Sequence, residues 1–199
     1  TEDPEMIRTY RLLQARAYWE ELGDEDRARQ LLRKTLEEEP KHEGANRLTA
    51  DIDRASGDYE SAADHLRTVA DVAGSGLDAL EVERELADLL ADELDAWEEA
   101  ATRYERALDG APGDSRALEG LQECRRAMED WEGYLECLAH EIGVLTRQVD
   151  EIDAASLDEL DPDGVAVDAR APVSQILSEA GTIVEDQLDD PERARAIFG

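Results

Sequence analysis

Gly23, Asp24, Ala28, Leu32, Leu36 and Pro40 find counterparts 72 residues further on, at Asp95, Ala96, Ala100, Tyr104, Leu108 and Pro112. Ala28, Leu32 and Leu36 lie four apart, on one face of a helix, and Pro40 stops that helix. A shorter period sits inside the longer one. Gly23-Asp24 returns after 34 residues as Gly57-Asp58, with Ala62 and Leu66 standing where Ala28 and Leu32 stood, and Trp97 returns after 34 residues as Trp131. A helical unit of this size cannot bury its apolar stripe alone and does so by stacking on further copies. The recurrence restricts the chain to an all-α class, an α-solenoid of about five helical hairpins, and points to the binding of other molecules.

Taken in order, the first hairpin covers about 7–40. Leu12, Ala15, Tyr18, Trp19 and Leu22 mark its first helix, Gly23 ends it, and Asp24 can cap the second. The second hairpin, about 42–73, opens with a polar helix in which Ala45, Leu48 and Ile52 define the apolar side among Asp51, Asp53 and Arg54. Gly74-Ser75-Gly76 then lengthens the interval to the third hairpin, about 77–112, from 34 to 38 residues. The fourth, about 114–149, carries Ala117, Leu118, Leu121 and Cys124, then Trp131, Leu135 and Leu138. Tyr134 stands in the place of the small alanine, which should push the two helices apart or tilt them, because a close-packed crossing has no spare volume. Leu135, Leu138, Ile142, Leu145, Val149 and Ile152 alternate at spacings of 3 and 4 and form a seam able to receive a partner helix or the next repeat. Residues 150–172 read as an acidic, solvated insertion with Pro162 and Gly164 as breakers. The fifth repeat starts at 173 with Ile176, Leu177, Ile183, Val184 and Leu188, and Pro191 is an apt first position for its second helix. A start without Met and an end at Phe198-Gly199, within a helical pattern, lead us to expect a piece of a longer polypeptide.

Charge narrows the class of partner. Lys and Arg number 21 against 52 Asp and Glu, a net charge of −31, so nucleic acid and anionic membrane are repelled and a basic protein or peptide fits better. Only Lys34 and Lys41 are lysines, a bias that resembles proteins of salt-adapted or high-GC organisms. No apolar run has the length of a membrane span, so a soluble, cytoplasmic protein is expected. Cys124 and Cys137 are too few for a disulfide framework and read as buried thiols. Glu159, Asp161, Asp163 and Gly164 sit at the first, third, fifth and sixth places of a calcium loop, but Arg170 occupies the twelfth, where the bidentate Glu is needed. His42, His65 and His140 are dispersed, and no phosphate loop or nucleophile motif occurs, so no cofactor and no enzymatic activity are expected. The residues leave the oligomeric state open.

These helical units resemble the tetratricopeptide repeat family. The frame of a Gly-Asp turn, a small Ala, an aromatic or Leu four later, a second Ala and a closing Pro is met by Gly23, Asp24, Ala28, Leu32, Leu36 and Pro40, by Gly57, Asp58, Tyr59 and Ala62, and by Trp97, Ala100, Tyr104, Ala107, Leu108 and Pro112. The first helices depart from it: Leu12, Ala15 and Arg16, and Asn46, Thr49 and Ala50, occupy the family's Trp, Leu and Gly places. The resemblance covers about 7–149 and 173–199. It implies a right-handed superhelix whose first helices line a concave groove. Carried over by register, that groove shows Tyr10 and Leu13, then Arg47, Asp51 and Arg54, then Glu85 and Leu89, then Arg116, Glu119, Glu123 and Arg126. Arg54 and Arg126 are 72 apart; they can grip a ligand carboxylate in bidentate fashion, or pair with Asp51 and Glu123 nearby. The implied function is a non-catalytic scaffold holding a protein or peptide segment. The alternatives are an acidic decoy of a basic or nucleic-acid-binding protein and an architectural segment of a longer repeat array.

Overall fold

The computed structural model describes residues 3–74, 76–156, 171–188, 190 and 192, and among them it is built of nine helices with no strand. The chain divides into two compact units, Thr1–Ala111 and Pro112–Gly199. The first contains α1 (Pro4–Glu20), α2 (Glu25–Glu38), α3 (Glu43–Ser56), α4 (Tyr59–Val72), α5 (Leu77–Asp92) and α6 (Trp97–Gly110). The second contains α7 (Ser115–Ala127), α8 (Trp131–Ser156) and α9 (Ala171–Asp186). Helices α1 and α2, α3 and α4, α5 and α6, and α7 and α8 pack as consecutive hairpins, and α9 packs on α8.

The turns follow the short period. Gly23 and Gly57 adopt φ of +62° and +79°, which costs a residue without Cβ nothing. Behind them Asp24 and Asp58 accept hydrogen bonds from the Arg27 and Ser61 amides and cap α2 and α4. At the third and fourth turns Asp95 and Glu129 hold the same left-handed conformation, at +51° and +55°. His42 caps α3 through its ring Nδ1, 3.1 Å from the Ala45 amide.

The small residues sit where the stacks are tightest. Ala15, Ala28, Leu32, Ala45, Leu48 and Ile52 form one core, with Leu12, Tyr18, Trp19, Leu31 and Leu36 packed against it. Ala62 and Leu66, then Ala100 and Tyr104, repeat the arrangement and are equally buried. A Cβ added to Gly44 would come 2.7 Å from Leu12 Cδ2, so α3 approaches α1 closely at its first turn. In the second unit Tyr134, Leu135, Leu138, Ile176, Ala180 and Val184 form a core against which Ile142 and Leu145 also pack. The seam on α8 therefore receives α9 over this stretch. Tyr134 is buried in full, and α7 meets α8 over less of its surface than the partners in the other hairpins meet, as an intruding ring requires.

Helix α8 continues through Ser156, so the opening of the acidic stretch 150–172 is helical. The remainder of that stretch, including the calcium-like residues Glu159, Asp161, Asp163 and Gly164, lies outside the described residues. So do Pro191 and 193–199, where the second helix of the fifth repeat was expected.

Candidate partner-binding surface

In the first unit Leu13, Arg47 and Glu85 hold one register position on α1, α3 and α5, separated by the intervals of 34 and 38 residues. Arg47 Nη2 meets Glu85 Oε2 at 2.5 Å, and Arg54 donates to Glu85 Oε1 from two turns further along α3. Both arginines thus converge on one carboxylate of the next repeat. Asp51 lies half-buried in the same cluster. Burial, and then the charge of Glu85, push its carboxyl above the ordinary value, while Arg47, Arg54 and Arg16 pull it back. Leu89 is buried, 5 % exposed, whereas Tyr10 and Leu13 are 66 % and 60 % exposed.

The second unit repeats the device with an aromatic inserted. The Arg126 guanidinium lies 5.1 Å above the Tyr134 ring centre and donates to its hydroxyl at 2.7 Å; that hydroxyl donates to Glu179 Oε1 on α9 at 2.6 Å. Burial comes first, then hydrogen bonding to Glu179, in raising the Tyr134 phenol above its usual pKa, and Arg126 opposes them. Arg116, Glu119, Glu123 and Arg126 are exposed on α7.

Asp51 and Glu123 act on Arg54 and Arg126 through space only. The hydrogen bonds of Arg54 and Arg126 go to Glu85 and to Tyr134, not to Asp51 and Glu123. At both sites an arginine from an even-numbered repeat reaches toward a glutamate on the first helix of the following one.

Other ties were not expected from the spacing. Arg29 of α2 bridges to the buried Asp53 of α3 and to Ser56 Oγ at 3.1 Å. Arg67 of α4 grips Glu99 of α6 through two bonds of 2.8 Å each. Asn46, also buried, donates to the Pro40 and His42 carbonyls, which leaves its side-chain oxygen to accept from His65 Nδ1 at 2.8 Å. Each joins helices of different hairpins or steadies a polar helix inside a stack, work that pairs distant in sequence perform. Cys124 and Cys137 are buried thiols. Among the described residues no group of three or more His, Cys, Asp or Glu converges as a metal ion requires, and no helix is long and apolar enough to cross a membrane.

With helical hairpins stacked at this period, the chain has the architecture of a helical-repeat protein. Residues 10–42 match the family model described as tetratricopeptide repeat. The crystal structure of MamA protein superposes with a TM-score of 0.58 at 14 % identity, covering 96 % of this chain and 88 % of that one. The MamA 41-end structure from Desulfovibrio magneticus RS-1 gives 0.54 at 14 % identity, with 96 % and 91 % covered. At such identity the likeness shows the fold alone, an all-α helical-repeat fold that spans nearly the whole chain. No curated protein matches the sequence.

Proposed function

We propose that the chain is a non-catalytic protein-interaction scaffold that holds a basic protein or peptide segment on the first helix of a repeat. The observation that supports it is the state of the charges there. Arg47 and Arg54 are matched by Glu85, and Arg126 is engaged by Tyr134. A ligand carboxylate would have to compete with partners the chain already supplies, which favours a cationic over an anionic ligand group. Glu119 and Glu123 are exposed on α7, with Arg116 and Arg126 beside them, within a chain of net charge −31. Lys or Arg on the partner meets them favourably, and nucleic acid is repelled.

Charge reversal on α7 tests this without touching a core. A protein retained by the wild-type chain from an extract of its source is measured against a Glu119→Arg/Glu123→Arg variant. We expect affinity to drop about tenfold or more, with thermal unfolding unchanged. Equal affinity of a verified partner for both chains would remove these residues from the site. The decoy alternative predicts instead that many basic proteins bind and that all are released by salt.

A further inference from the structure

Helices α7 and α8 leave a cleft of about 140 Å³ between the first two turns of α7 and the middle of α8. Tyr134, in the place of a small alanine, holds the two helices apart, and a crossing that does not close leaves room beside it. Leu118, Val144 and Leu145 supply apolar walls, and Asp114, Glu119 and Glu141 stand around them. Among the described residues no Lys, Arg or His lines the cleft: Arg116 and Arg147, near it in sequence, lie outside the walls.

Size, walls and rim together define what fits. The volume is below the roughly 300 Å³ at which small-molecule sites begin and close to the roughly 150 Å³ that takes a benzene ring, so a single side chain enters rather than a whole ligand. Apolar walls suit a hydrocarbon stem. The rim suits a cation at its tip. Asp114 caps α7, accepting from the Arg116 and Ala117 amides. Glu141 accepts from Gln122 Nε2 at 2.9 Å, and Glu119 is exposed; a carboxylate has acceptor capacity beyond one bond, so both can receive an ammonium. Lys carries that group compactly on an aliphatic stem, whereas the guanidinium of Arg is longer and planar and is best met by one carboxylate in bidentate fashion.

We propose that this cleft takes a lysine side chain of the protein partner, its stem against Leu118, Val144 and Leu145 and its ammonium between Glu119 and Glu141. The proposal rests on the scaffold reading for the class of partner; it adds a preference for Lys over Arg and brings in Glu141, Val144 and Leu145 of the second helix. The probe is a short synthetic peptide of Gly and Ser around one central Lys, with counterparts carrying Arg or norleucine, which keeps the stem without the charge. Each is titrated into the full chain with labelled Leu and Val methyls, followed by NMR. The Lys peptide is expected to shift the Leu118, Val144 and Leu145 methyls saturably, and the Arg and norleucine peptides to bind about fivefold and about tenfold more weakly. Glu141→Gln, which keeps an acceptor for Gln122, should weaken the Lys peptide about fivefold, and Val144→Phe, which fills the cleft, about tenfold or more. Thermal unfolding checks that both variants fold; if Val144→Phe does not, Glu141→Gln decides. Lys binding no tighter than Arg or norleucine binding overturns the proposal, as do shifts of equal size at methyls away from the cleft, binding unchanged by the variants, or no binding at all. Should the Lys peptide fail while Glu119→Arg/Glu123→Arg still weakens a verified partner, the cleft assignment falls and the scaffold reading stands.

Discussion

Asp53 is a carboxylate with 4 % of its side chain exposed, held by Arg29 of the preceding helix and with His65 Nε2 3.9 Å away. Removing the cation strands a charge that burial penalises, whereas removing the charge itself does not. Arg29→Met should therefore destabilise by about 3 kcal/mol and Asp53→Asn by clearly less, with the double variant more stable than Arg29→Met alone; urea unfolding measures all three. Equal losses for the two single changes would contradict the asymmetry. Glu99 offers a pH-dependent case. Hydrogen bonding from Arg67 holds its carboxyl below the ordinary value. A carboxyl whose pKa is lower folded than unfolded adds stability above the unfolded value, near 4.3, and loses it as pH falls through the folded one. The side chain is 36 % exposed, so solvent weakens the pair. Glu99→Gln should cost under about 1 kcal/mol at neutral pH, and the difference from wild type should close below about pH 4. A gap that persisted there would mean packing rather than charge.

The hairpins divide into those whose turns declare themselves and those that rely on register. Gly57 adopts φ of +79° with open space where a Cβ would stand, so Gly57→Ala should cost about 1 kcal/mol through backbone strain alone. Glu129, 72 residues on, holds +55° without being glycine, and Glu129→Gly should gain up to about 1 kcal/mol. Thermal unfolding of the two variants should shift in opposite directions. Gly-Asp pairs, small alanines and closing prolines made the first two turns and the hairpin stack legible in the residues. The polarity of α3 was harder to interpret, because what satisfies Asn46 and Asp53 comes from His65 and Arg29, 19 and 24 residues away. The same limit applies at the candidate surface. The recurrence of Arg54 and Arg126 was visible, yet their partners were sought three residues away, at Asp51 and Glu123. Glu85 is 31 residues from Arg54, and Glu179 is reached from Arg126 only through Tyr134, separations that spacing within one helix does not show. Leu89 looked like a groove residue because it shares a face with Glu85; the packing of α5 buries it.

For the molecule as a whole, charge sets the terms. A net charge of −31 on 199 residues opposes compaction, so raising NaCl from about 0.02 M to about 0.3 M should raise the unfolding temperature by screening it. A fall would mean that the ion pairs between repeats outweigh the repulsion. Whether the chain is a scaffold or an acidic surface open to any basic protein turns on the same property. The most direct test is affinity capture from an extract of the source, at low and high salt, with the wild-type chain and with Glu119→Arg/Glu123→Arg. The account predicts one or a few proteins that survive high salt on the wild type and are depleted on the variant. A crowd of basic proteins that washes off both as salt rises would contradict it.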